Sequence, residues 1–122
     1  MSPRWVFAVA GIYGIAALLP QFFLEQRVGM QNPPPITHPE FFYGFLGVAL
    51  AWQVAFLIIA RDPLRFRPLM LPSILEKLSF GVATVLLFAQ GRLAALMLGA
   101  GLVDLVFAGL FAVAYVRTGA AR

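Results

Sequence analysis

Two acids lie inside apolar runs that suit the interior of a membrane. Asp104 falls in LAALMLGAGLVDLVFAGLFAVAYV (93–116), and Glu76, followed directly by Lys77, falls in LMLPSILEKLSFGVATVLLFAQ (69–90). An acid near the centre of a membrane helix costs about 2.5–3.5 kcal/mol on insertion scales, so it faces a partner, water or the bundle interior. Spacing by three and four puts Gly101, Asp104, Ala108, Phe111 and Tyr115 on one stripe, where small residues permit close helix approach. Two kinds of chemistry suit such a carboxyl group. It carries a proton or binds an ion, or it locks helices together through a buried hydrogen bond.

Glu76 shares a face with Ser79, Ala83 and Gln90, and an ion pair with Arg61, Arg65 or Arg67 of the preceding connection is the simplest structural role for it. Lys77 is the only lysine, and its four-carbon stem has the reach to carry the charge toward the headgroups. Gln53 and Tyr13 fall at similar depths in the two earlier apolar runs, Gln53 with Gly44, Gly47 and Ala51 nearby. If all four runs turn these groups inward, Tyr13, Gln53, Glu76 and Asp104 form one polar network or line one pocket in the cytoplasmic half.

Outside the apolar runs, His38 and Glu40 (ITHPEFFYG) are the candidate pair for an outer-face binding or proton-accepting site. Capping of the helix that Pro39 and Glu40 begin is the more economical role. One histidine cannot make a bis-histidine haem, two ligands are too few for zinc, and the absence of cysteine removes thiolate clusters and thiol redox chemistry. No P-loop, nucleophile elbow or HExxH pattern occurs. No cofactor and no catalytic residue is assigned on these grounds.

These residues are positioned by four apolar stretches, at 5–24, 41–60, 69–90 and 93–116, each near the roughly 20 residues that a spanning helix needs. Composition agrees: 61% of the 122 residues are hydrophobic and 11% charged, against about 25% charged in a soluble domain. A chain this short has too little interior to bury that excess, so lipid must cover it. The fold class expected is an all-α integral membrane four-helix bundle forming a single domain. The first stretch is too long for a signal's apolar region and Pro20-Gln21-Phe22-Phe23 offers no cleavage site, which favours a retained helix.

Arg4, Arg61, Arg65, Arg67, Arg117 and Arg122 fall on one side of the four spans, and Arg27 and Arg92 on the other. The positive-inside rule then places both termini in the cytoplasm and argues against a dual-topology protein. The setting expected is a bacterial inner membrane. Net charge is +4, but the cations form no continuous stripe, so nucleic acid is not an expected partner. The outer connection carries Pro33-Pro34-Pro35, which favours an extended polyproline segment. Pro20 is expected to kink the first helix and Pro72 to open the regular part of the third. Gly91 and Arg92 leave almost no loop, making the last two helices antiparallel neighbours.

The hairpin with LEKL at 75–78, Gly91-Arg92 and DLVFAGLF at 104–111 resembles the DoxX-like group of small bacterial four-helix membrane proteins. That resemblance implies a four-helix membrane fold and association with a quinone-linked oxidoreductase complex, with no functional residue carried over. Three functions follow as expectations: an accessory subunit or homo-oligomer in the bilayer, a transporter of protons, an ion or a hydrophobic solute, and a lipid- or quinone-modifying enzyme using Glu76, Asp104 or Tyr13 as acid or base.

Overall fold

The computed structural model describes residues 2–31 and 33–120, most of them in helices and none in a strand. Arg122, counted above with the cytoplasmic cations, lies outside the described residues. Helix α1 spans Pro3–Leu18, with Pro3 in its first turn, where the missing N–H costs nothing. Pro20 does not kink it. The helix instead stops at Leu18 and tightens into a 3-10 turn, Leu19–Phe23, with Pro20 near its start.

The connection that follows departs from the extended expectation. Glu25–Gln31 forms a short helix, α2. Its buried Gly29 lies so close to Pro35 and Ile36 that a Cβ there would stand 3.1 Å from both backbones. The proline segment is therefore folded back over α2 rather than standing free.

Helix α3 covers Pro39–Arg61, α4 Met70–Ala89 after a 3-10 turn at Arg67–Leu69, and α5 Ala95–Ala120. Pro72 sits in the first turn of α4, as a residue without an amide donor should. Four segments among the described residues are long and apolar enough to cross a membrane: Pro3–Phe23, Pro39–Arg61, Arg67–Ala89 and Ala95–Ala120. At 1.5 Å per residue the 23 residues of α3 reach about 34 Å, which exceeds a hydrocarbon core of about 30 Å.

The α4–α5 turn closes through its backbone. Gly91, at φ 72°, lets its own amide bond the Phe88 carbonyl at 3.0 Å and the Arg92 amide bond the Leu87 carbonyl at 2.9 Å, a Schellman cap. That sharp reversal lays α5 along α4, and these two helices make the most extensive contact in the molecule. Helices α1 and α3 form the second pair. Helix α1 also packs on α5, whereas α3 and α4 barely touch.

The core occupies one end of this arrangement, the end that carries the start of α1, the α3–α4 connection and the close of α5. Phe7 stacks on Phe111 with centroids 4.2 Å apart, and Phe56 meets Phe111 edge-on at 5.0 Å. Val6, Ala10, Ile59, Ala60, Met70 and Ala114 complete a cluster with little solvent exposure. Arg67 ties the same end: its Nε–H donates to the Tyr115 carbonyl at 2.9 Å and its guanidinium lies over the Tyr115 ring at 3.8 Å. Among the described residues, no comparable buried cluster lies at the opposite end.

Candidate functional site

A buried lysine organises the polar interior. The inward residues of α4 are Met70, Ser73, Lys77, Gly81 and Thr84, a 3-4-4-3 spacing that follows one face of the helix. Lys77 thus turns toward the bundle axis and not toward the headgroups, leaving its side chain 4% exposed. From α5 the expected stripe also faces inward: Gly101, Ala108 and Phe111 are buried, and the Asp104 side chain is 14% exposed. Close approach is built from small residues. A Cβ on Gly81 would lie 3.0 Å from the Gly101 carbonyl, and one on Gly101 would overlap the Thr84 hydroxyl.

Lys77 Nζ donates to Asp104 Oδ1 at 3.4 Å and stands 3.8 Å from Glu76 Oε2. It also lies 5.1 Å from the centre of the Phe56 ring and 5.7 Å from that of Phe107, whose faces attract an ammonium group. The ion pair expected between Glu76 and Arg61, Arg65 or Arg67 is not formed. Arg67 is held by Tyr115, Arg65 lies over Phe66, and the nearest cation to Glu76 is its own neighbour in sequence. The face shared by Glu76, Ser79, Ala83 and Gln90 is only partly an interior seam, because Ser79, Ala83 and Gln90 are exposed.

Gln53 reaches the same region from α3 and is 1% exposed. Its Nε2 donates to the Ala49 carbonyl at 2.8 Å, while among the described residues no group donates to its Oε1. The carboxamide fits because the facing residue of α1 is Gly14, where a Cβ would overlap it. The neighbouring Gly11 meets the Gln53 carbonyl with the same economy. Gly44 and Gly47, read from the sequence as neighbours of Gln53, instead face open space.

A cavity of about 150 Å³ joins these groups, lined by Tyr13 and Gly14 of α1, Ala49 and Gln53 of α3, Glu76 and Lys77 of α4, and Ala100 and Asp104 of α5, among others. The structure therefore brings Tyr13, Gln53, Glu76 and Asp104 onto one cavity. Its depth differs from the sequence-based expectation. The remaining lining includes Leu18, Gln21, Phe45, Phe80 and Met97, all toward the end that carries α2, while the phenylalanine plug fills the other end. The cavity runs from mid-depth away from the termini.

No family model, no curated protein and no solved structure matches the chain. The chemistry of the site is read from its own atoms. Two carboxylates share one ammonium, so the fully ionised cluster carries one net negative charge. The two buried side-chain atoms without a hydrogen-bond partner among the described residues, Gln53 Oε1 and Glu76 Oε2, are both acceptors. Burying unmatched acceptors and unbalanced charge is costly, and a donor bearing one positive charge relieves both.

His38 and Glu40 stand apart from this cavity. His38 Nδ1 is 3.3 Å from Glu40 Oε1, both side chains are exposed, and the imidazole stacks on Phe41. His38 occupies the residue before α3, but its side chain makes no capping bond; only its carbonyl accepts from Phe41 and Phe42. Among the described residues no three His, Asp or Glu side chains gather closely enough to hold a metal ion.

Lys77 is the residue that sequence reasoning missed as part of the site. Its signal was present in the stripe Ser73, Lys77, Gly81, Thr84, small or polar at every inward position, which a lipid-facing stripe would not be.

Proposed function

We propose that this is a four-span protein of a bacterial inner membrane, with cytoplasmic termini, that binds a proton or a small monovalent cation at mid-depth and passes it toward the outer face. The observation that carries this reading is the shared ammonium: Asp104 and Glu76 flank Lys77 at a cavity whose unmatched atoms are acceptors. One proton or one cation neutralises the cluster, and the two compete. The groups that face the cluster are Glu76 and Lys77 of α4, Asp104 of α5, Gln53 of α3 and Tyr13 of α1. Orientation is supported by Arg4, Arg61, Arg65, Arg67 and Arg117, which belong to the plugged end, against Arg27 and Arg92 at the other.

Methylammonium is a suitable probe, being a small monocation with N–H donors. Purified protein in proteoliposomes should take up methylammonium with proton release, and acidification should weaken uptake because protonating a carboxylate removes the net charge that attracts the cation. Asp104→Asn and Glu76→Gln should each abolish the exchange. Wild-type vesicles that neither bind methylammonium nor move protons would sink the reading.

A second reading, an accessory subunit or homo-oligomer, is favoured by Gly44 and Gly47 of α3 and Gly99 and Gly109 of α5, where an added Cβ would meet nothing and a partner helix could approach closely. Cross-linking in native membranes that yields only the monomer would count against it.

A further inference from the structure

Helices α3 and α4 barely touch, and the space between them is a groove of about 590 Å³. Its walls include Val48 and Trp52 of α3 and Pro72 and Leu75 of α4, and it shares Phe45, Ala49, Glu76 and Phe80 with the central cavity. The groove and the cavity therefore adjoin on one side of the bundle, where the rings of Phe45 and Phe80 stack with centroids 5.9 Å apart. This side faces lipid if the helices span a bilayer: Val48 and Leu75 are each 65% exposed.

Of the residues lining the groove, Glu76 alone carries a charge, and the Ser79 hydroxyl is turned to the Glu76 carbonyl. An apolar groove with one acid in its lining suits one kind of occupant. We infer that the groove admits a single-chain hydrophobic primary amine, with its alkyl chain between α3 and α4 and its ammonium group at Glu76. The inference rests on the cation-binding reading above and names its substrate class. Charge complementarity selects the amine over a fatty acid, whose carboxylate would meet Glu76 unpaired. A two-chain phospholipid is disfavoured because its phosphate would have to leave the headgroup layer to bring an ammonium to this depth.

The experiment uses the full chain in lipid nanodiscs with two probes, methylammonium and a decylammonium bearing a photoreactive group in its chain. Decylammonium should label α3 and α4 at residues lining the groove, and excess methylammonium should reduce that labelling. Val48→Trp and Leu75→Trp, which alter exposed positions and so spare the fold, should weaken decylammonium binding at least about tenfold and leave methylammonium binding unchanged. Glu76→Gln should weaken both probes by at least about tenfold, the equivalent of a lost charge-assisted hydrogen bond. Labelling spread over all helices, or decylammonium binding indifferent to both tryptophans while methylammonium still binds, would overturn the lateral route alone. Failure of both probes on the wild-type protein would overturn the site reading as well.

Discussion

At the scale of single residues, the cost of ionised groups in a dry interior decides what Lys77 does. Its ammonium is on a side chain only 4% exposed, with two carboxylates and two ring faces within reach. Removing one partner of a buried ion pair typically costs about 3–5 kcal/mol, because the remaining charge is stranded. Lys77→Met should therefore lower stability by about that amount in a detergent unfolding assay. Protonation neutralises stranded carboxylates, so the deficit should shrink as the pH falls, and Asp104→Asn in the same chain should recover part of it. A Lys77→Met protein as stable as wild type at alkaline pH would mean that the contacts to Asp104 and Glu76 contribute little.

Helix pairs are held by missing side chains as much as by present ones. Thr84 fills the space over Gly101, its hydroxyl bonded to the Gly81 carbonyl at 2.8 Å, and Gln53 fills the space over Gly14. A methyl group at either glycine has to displace a buried polar side chain that is already committed. Gly101→Ala and Gly14→Ala should each cost about 1–3 kcal/mol, the usual penalty of overpacking. Gly109→Ala should cost nothing measurable, since nothing lies near its Cβ position. Equal melting temperatures for all three variants would show that the helices separate freely enough to absorb the methyl groups. Small residues recur along α3 as well, but the contact with α1 is made by glycines on α1, against Gln53 and Leu57.

The whole molecule is closed at one end and open toward the other. Phe7, Phe56 and Phe111 seal the end that carries the termini, and the cavity extends from Lys77 past Ala17 and Leu18 toward Gln21. The absence of cysteine makes this directly measurable with single introduced thiols. In intact cells a membrane-impermeant thiol reagent added outside should label Ala17→Cys and spare Ala10→Cys, which lies in the plug with no exposure. Labelling of both, or of Ala10→Cys alone, would reverse the direction in which the cavity faces.

Sequence alone determined the number of apolar helices, their approximate bounds, the tight α4–α5 reversal at Gly91 and the inward stripe through Asp104. Each depends on local quantities, namely hydropathy over about 20 residues, a helical period and a glycine that adopts positive φ. Tertiary structure decided what local patterns leave open. It turned Lys77 inward, denied Glu76 its arginines by committing Arg67 to Tyr115, and folded the proline segment over α2. It also parted α3 from α4, which left a groove between them with Glu76 in its lining. The physical reason is that a helix's period fixes which residues share a face, whereas the facing helices decide which charge that face must satisfy.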